Sequence, residues 1–134
     1  MTKSNKKKAY LDIDGVILAN DKQIANYSNE FIRYLVDNFD VYWLTTHCKG
    51  DSNHTIRFLS NFFEGETLEL LKKIKPTNWQ TWKTEAIDFE SDFIWFDDQV
   101  FEEEINALKQ NDRIDSWVLI DLSNNIDQLK TLIS

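Results

Sequence analysis

Short apolar runs alternate along the chain with stretches whose apolar positions recur at helical spacing. Residues 9–13 form an apolar run that predicts a buried strand, and Gly15 and Asn20-Asp21 mark the loop after it. Residues 27–38 place Tyr27, Phe31, Tyr34 and Leu35 on one helical face, with Ser28 or Asn26 as the cap. Val41-Tyr42-Trp43-Leu44 predicts a second buried strand ending at Thr45-Thr46. Residues 52–63 follow as a helix with Ile56, Leu59 and Phe63 inward, Ser52 or Asn53 capping it, and Gly65 ending it. Residues 66–74 have a helical period, but Leu71 to Lys75 fits equally well as a short edge strand before Pro76. Residues 77–91 are irregular, with Trp79 and Trp82 bracketing a polar pair. A strand at Phe93-Ile94-Trp95-Phe96 ends in Asp97-Asp98, a helix covers 100–110, a strand Trp117–Ile120, and a last helix 124–133.

Strands that are apolar on both faces and separated by helices predict an α/β fold with a central, mostly parallel sheet covered on both sides. This is a Rossmann-like three-layer sandwich. Right-handed crossovers bring the carboxyl ends of parallel strands to one edge, where ligands of such sheets bind. Asp12, Asp14, Thr45, Asp97 and Asp98 all fall at those ends. That shared position says more than any one of these residues.

The chain of 134 residues fits one domain, read as a basic arm over 1–8 and a single α/β unit over 9–134. The arm carries four lysines and reads as a solvated lead-in, although a basic arm can also touch phosphates. The arm lacks a signal peptide's apolar core, no run approaches the ~18 apolar residues of a membrane span, and Cys48 is the only cysteine. A cytoplasmic location is the expectation. The net charge of −8 argues against broad nucleic-acid binding, but not against a small phosphorylated ligand held by a metal. No internal repeat, linker or low-complexity segment interrupts the pattern.

Two carboxylates in Asp12-Ile13-Asp14-Gly15 sit close at a strand tip, where each resists ionisation unless a cation lies between them. With Asp97 and Asp98, four carboxylates converge, a hard oxygen set suited to Mg²⁺. An aspartate can attack phosphorus while a second carboxyl serves as acid and base. The transferring oxygens then need positive charge and hydrogen-bond donors. Lys83 is the best-placed lysine, Lys75 the alternative, and Thr45 offers a hydroxyl. Plainer readings exist for each residue. Asp-Gly is a common turn pair, Asp97-Asp98 could cap a helix, Thr45 could end a strand, and Lys83 could lie on the surface. His47 reads as a rim or structural histidine, Cys48 as inert, and Trp43 and Trp95 as core. Trp79 and Trp82 read as packing over the sheet edge, or as an apolar wall beside the site. Glu102-Glu103-Glu104 reads as the acidic first turn of a helix.

The order of Leu11-Asp12-Ile13-Asp14-Gly15-Val16, then Tyr42-Trp43-Leu44-Thr45, then Lys83, then Trp95-Phe96-Asp97-Asp98 resembles the haloacid dehalogenase (HAD) superfamily. The resemblance spans most of the chain. It implies a Mg²⁺-dependent phosphomonoesterase with Asp12 as nucleophile and metal ligand. Asp14 would be the acid/base, binding the metal through its backbone carbonyl. Thr45, Thr46 and Lys83 would hold the phosphoryl group, and Asp97 and Asp98 would bind the metal directly or through water. Many members insert a cap domain, for which this chain has no room after Asp14 or between Thr45 and Lys83. An open site of that kind suits a bulky substrate, such as a protein or polynucleotide end, or a lid from another subunit; the phosphorylated substrate is left open between a small molecule and a macromolecular end. A non-catalytic or weakly active binding or regulatory module on the same fold is the alternative. A response-regulator receiver domain uses similar residues, but in a different order.

Overall fold

The computed structural model of the chain describes residues 6–20 and 22–133. Residues 1–5 of the expected basic arm, and Asp21 of the expected loop, lie outside the described residues. The elements run β1 (Lys8–Leu11), α1 (Ser28–Asn38), β2 (Asp40–Trp43), α2 (Ser52–Leu59), α3 (Gly65–Leu71), β3 (Phe93–Asp97), α4 (Glu102–Gln110), β4 (Trp117–Leu119) and α5 (Gln128–Ile133). Turns of 3₁₀ helix lie at Lys83–Ala86 and Ile114–Ser116. The four strands form one all-parallel sheet in the order β2-β1-β3-β4. The protein is therefore α/β, consistent with a Rossmann-like fold. Among the described residues, no helix is long and apolar enough to cross a membrane.

Side chains of successive strand residues point to opposite faces, and this splits the core in two. Ala9, Leu11, Val41, Trp43 and Phe96 enter the larger core, with Phe31 and Leu35 of α1, Leu59 of α2, Leu71 of α3 and Leu129 of α5. Tyr10, Phe93 and Trp95 enter the smaller one, with Leu108 of α4 and Ile87. Trp43 and Trp95 are fully buried on opposite faces, as their place in apolar strands predicts.

Several local expectations are corrected. The first strand stops at Leu11, because the carbonyl of Ile13 accepts from the N–H groups of Val16, Ile17 and Leu18 and starts a turn there. Neither Asn26 nor Ser28 caps α1. Tyr27 precedes it in a left-handed conformation, while the Ser28 hydroxyl donates to the Ile17 carbonyl and Asn26 donates to Asp127. The cap of α2 is Asp51, whose carboxylate accepts from the Asn53 N–H at 2.8 Å, not Ser52 or Asn53. Gly65 opens α3 rather than ending the preceding helix, which stops by Leu59. Its φ of 59° turns the chain between the two helices. The helical reading of 66–74 holds through Leu71, and the alternative edge strand over 71–75 does not form: turns follow α3, and only Lys75 makes an isolated bridge, to Tyr42 beside β2. The last helix is shorter than its pattern, starting at Gln128 after turns.

Candidate functional site

The chain steps from β1 out to β2 and returns to β3 on the other side of β1. The switch point of the sheet therefore lies between the carboxyl ends of β1 and β3, where the flanking loops diverge and leave a crevice. Asp12 follows β1 and Asp97 ends β3. The Asp12 N–H donates to the Phe96 carbonyl at 3.2 Å, which ties the two tips together. Asp12, Asp97 and Asp98 each present a carboxylate oxygen, and these atoms lie within 4.8 Å of one another. Asp12 and Asp97 are buried, and Asp98 faces the opening.

Among the described residues, one ammonium faces this cluster. Lys83 Nζ lies 2.7 Å from Asp97 Oδ2 and 3.3 Å from Asp12 Oδ2, with its side chain only 13% exposed. Burial pushes the Lys83 ammonium down, but the Asp12 and Asp97 carboxylates outweigh that and hold its pKa above the ordinary value. Asp97 is pushed up to about 8, first by burial and then by the Asp12 charge, with Lys83 opposing both. Asp98 is raised for the same two reasons. Lys83 is held by charged carboxylates while Asp97 favours its proton. The two directions agree if one proton belongs to the cluster as a whole and not to a single residue. Three carboxylates around one ammonium leave the site short of positive charge.

The irregular stretch before Lys83 is held by carboxylates that the sequence reading passed over. Glu85 accepts from the N–H groups of Gln80, Thr81 and Trp82, and these bonds lower its pKa. Glu104, only 2% exposed, accepts from the Phe101 N–H at 3.0 Å and the Lys83 N–H at 2.7 Å. The acidic run 102–104 is the first turn of α4, as expected, but its third member also seats Lys83. A Glu three residues into a helix is the signal that could have found it. Lys75 is excluded as the site lysine. Its ammonium pairs with Asp40, the residue that opens β2, at the opposite end of the sheet.

Thr45, just past the end of β2, is fully buried and not among the residues lining the cavity, whereas Thr46 stands exposed on the cavity wall. Thr45 Oγ1 accepts from the His47 N–H at 3.3 Å, which leaves its own hydrogen to donate. The Asp14 carboxylate lies outside the three-carboxylate cluster. It meets His47 Nε2 at 2.8 Å, with Lys22 Nζ 3.8 Å away. Cys48 is buried against the Asp51 and Thr77 carbonyls, which fits an inert role. The cavity above the cluster measures about 270 Å³. Trp79 and Phe101 form its apolar wall, Trp82 packs on Phe101, and Trp79 also packs into the smaller core. Trp79 thus combines the two roles the sequence allowed.

Gly15 has a φ of 79°, and a Cβ placed there would fall on the Asp98 carboxylate. Gly15→Ala is expected to lower stability in urea unfolding by about 1–3 kcal/mol, from the left-handed backbone alone. It should also weaken divalent-ion binding by displacing Asp98. An unchanged ion affinity would show that Asp98 is not part of the site.

No family model matches the chain, and neither the curated proteins nor the solved structures include one significantly similar to it.

Proposed function

We propose that the protein is a Mg²⁺-dependent phosphohydrolase of the HAD type that acts on phosphomonoesters through an aspartyl-phosphate on Asp12. The observation that carries this reading is the Asp12–Asp97–Asp98 cluster at the sheet's switch point with Lys83, among the described residues, as its facing cation. The donor set fits the ion. All three groups are hard carboxylate oxygens at mutual distances a small divalent cation can bridge, and their charge exceeds what Lys83 neutralises. Asp12, Asp97 and Asp98 would hold Mg²⁺, with the Asp14 carbonyl as a further ligand. The bound ion supplies positive charge to the phosphoryl oxygens.

The chain's own residues do the rest. Asp12 attacks phosphorus, Lys83 steadies the equatorial oxygens, and the Thr45 hydroxyl and Thr46 fix the orientation of the group. Asp14 gives a proton to the departing oxygen as the P–O bond breaks. It then takes one from the water that cleaves the acyl phosphate. A cavity of about 270 Å³ holds a phosphoryl head and leaves the rest of the ester outside, against Trp79 and Phe101 or in solvent.

The test is hydrolysis of p-nitrophenyl phosphate with Mg²⁺ and with EDTA. Turnover that requires the metal supports the proposal. Mg²⁺ binding without turnover would favour a binding or regulatory module instead. The metal should also act on stability in a pH-dependent way. Because the folded-state pKa of Asp97 is raised to about 8, the folded protein binds more protons than the unfolded chain above the ordinary carboxylate range. Stability of the metal-free protein therefore falls as pH rises from about 4 to about 8. Mg²⁺ takes the place of that proton, so its Tm increment is expected to be larger at pH 8 than at pH 6. At a hundred times its Kd the ion contributes about 2.7 kcal/mol. An increment that does not grow with pH would remove the metal from this cluster.

A further inference from the structure

The loop after β2 holds His47 more firmly than a rim residue requires. Its N–H donates to Thr45 Oγ1 at 3.3 Å, and its carbonyl accepts from the buried Thr55 hydroxyl at 2.8 Å. Its ring lies flat on Phe58, with centroids 4.2 Å apart and planes 11° off parallel. Backbone and ring are thus both pinned, and among the described residues the ring meets Asp14 Oδ2, 2.8 Å from Nε2. In the tautomer that donates here, Nε2 carries the hydrogen and Asp14 Oδ2 accepts it. Asp14 itself is nearly half exposed, and among the described residues its other oxygen meets Lys22, 3.8 Å away and largely solvated. An exposed carboxylate with one such partner would sample many orientations.

Resting on the phosphohydrolase reading above, we propose that His47 is the positioning residue for Asp14. Its Nε2–H fixes one carboxylate oxygen, so that the other faces the leaving group and carries the proton in flight. His47 keeps its own hydrogen throughout. In the first half-reaction the Asp12–phosphorus bond forms, the ester P–O bond breaks and the Asp14 proton moves to the departing oxygen. In the second, water attacks phosphorus, its proton returns to Asp14 and Asp12 is released. The plainer alternative is that the pair only ties two loops together.

Leaving-group dependence separates the two. Phenyl phosphate and p-nitrophenyl phosphate are close in size, but nitrophenolate leaves readily unprotonated and phenolate does not. His47→Leu keeps a side chain to pack on Phe58 and removes the donor, and His47→Gln restores an N–H. The measurement is kcat/KM, which covers the steps up to leaving-group departure, with Mg²⁺ affinity and Tm recorded alongside. His47→Leu is expected to lose about tenfold to a hundredfold on phenyl phosphate and less than about threefold on p-nitrophenyl phosphate. His47→Gln should recover most of the difference. Equal losses on both esters, or no loss on either, would overturn the positioning role and leave Asp12 chemistry standing. If His47→Leu does not fold, His47→Gln against wild type reads the same ratio, and a ratio displaced as far as complete loss of acid catalysis overturns the proposal. A wild-type protein that hydrolyses neither ester overturns the phosphohydrolase reading, and this inference falls with it.

Discussion

Asp12→Asn is expected to reduce kcat by about 10⁴-fold or more while leaving the protein folded, because a carboxamide cannot form the acyl-phosphate bond. The fold should tolerate the change. Asp12 Oδ1 accepts from the Ile13 N–H at 2.8 Å, and the amide oxygen of Asn can take over that bond. Lys83 keeps Asp97 at 2.7 Å. Removing the Asp12 charge also relieves the repulsion that raises Asp97 and Asp98, so the metal-free variant is expected to melt no lower than wild type. Its Tm increment from Mg²⁺ should shrink, since one of three ligand charges is gone. The readout is p-nitrophenol release paired with thermal melts at two Mg²⁺ concentrations. Residual turnover above about one per cent, far more than loss of a nucleophile permits, would mean that another group makes the bond to phosphorus.

Lys83→Met is expected to have the largest effect on stability, and the effect should depend on pH. The substitution keeps the apolar stem and deletes the ammonium, which leaves two buried carboxylates and an adjoining third with backbone N–H donors but, among the described residues, no facing cation. Breaking a buried pair in this way costs about 3–5 kcal/mol. The cluster can answer by binding protons, so the loss should be mild at pH 5.5 and severe at pH 8. Folded-state carboxyl values raised still further make the native state the more protonated one, and stability then falls with rising pH. Lys83's own titration does not complicate this range. Its folded value lies above 10.5, so its contribution is complete below that and is lost only at higher pH. Mg²⁺ should recover part of the loss at pH 8. Melting curves at both pH values, with and without the ion, decide the matter. A variant as stable as wild type at pH 8 would show that the cluster does not depend on this ammonium.

The frame of the site was legible because it rests on two coarse regularities, buried strands with period two and polar residues at their carboxyl ends. Asp12, Thr45 and Asp97 follow from those alone. The choice between Lys75 and Lys83 was not legible, because residues 76–82 have no period from which a path could be read. The difference comes from backbone bonds to β2 that anchor residue 75 and from the carboxylates of Glu85 and Glu104 that seat residue 83. His47 was passed over for a related reason. Its partner lies 33 residues away, and only the sheet brings the two loops together. The helix caps failed on a smaller scale, where adjacent Asp51, Ser52 and Asn53 are all competent cappers and one residue of offset decides which side chain meets the free N–H.

The central place of β1 bears on how the molecule is made. β1 precedes β2 and β3 along the chain, but its pairing with β3 joins Leu11 to Phe96, a closure of some eighty residues. Contacts that distant form late and slowly. A nascent chain that has paired β1 with β2 therefore has one carboxylate of the cluster in place and lacks the two on Asp97 and Asp98. On the Mg²⁺ reading proposed above, a divalent ion would have no completed seat until β3 has docked beside β1. Ion binding would then check this pairing and could not guide the steps before it. Hydrogen exchange at β1 and β3 should slow together when Mg²⁺ is added, because the proposed ion site spans the tips of these two strands.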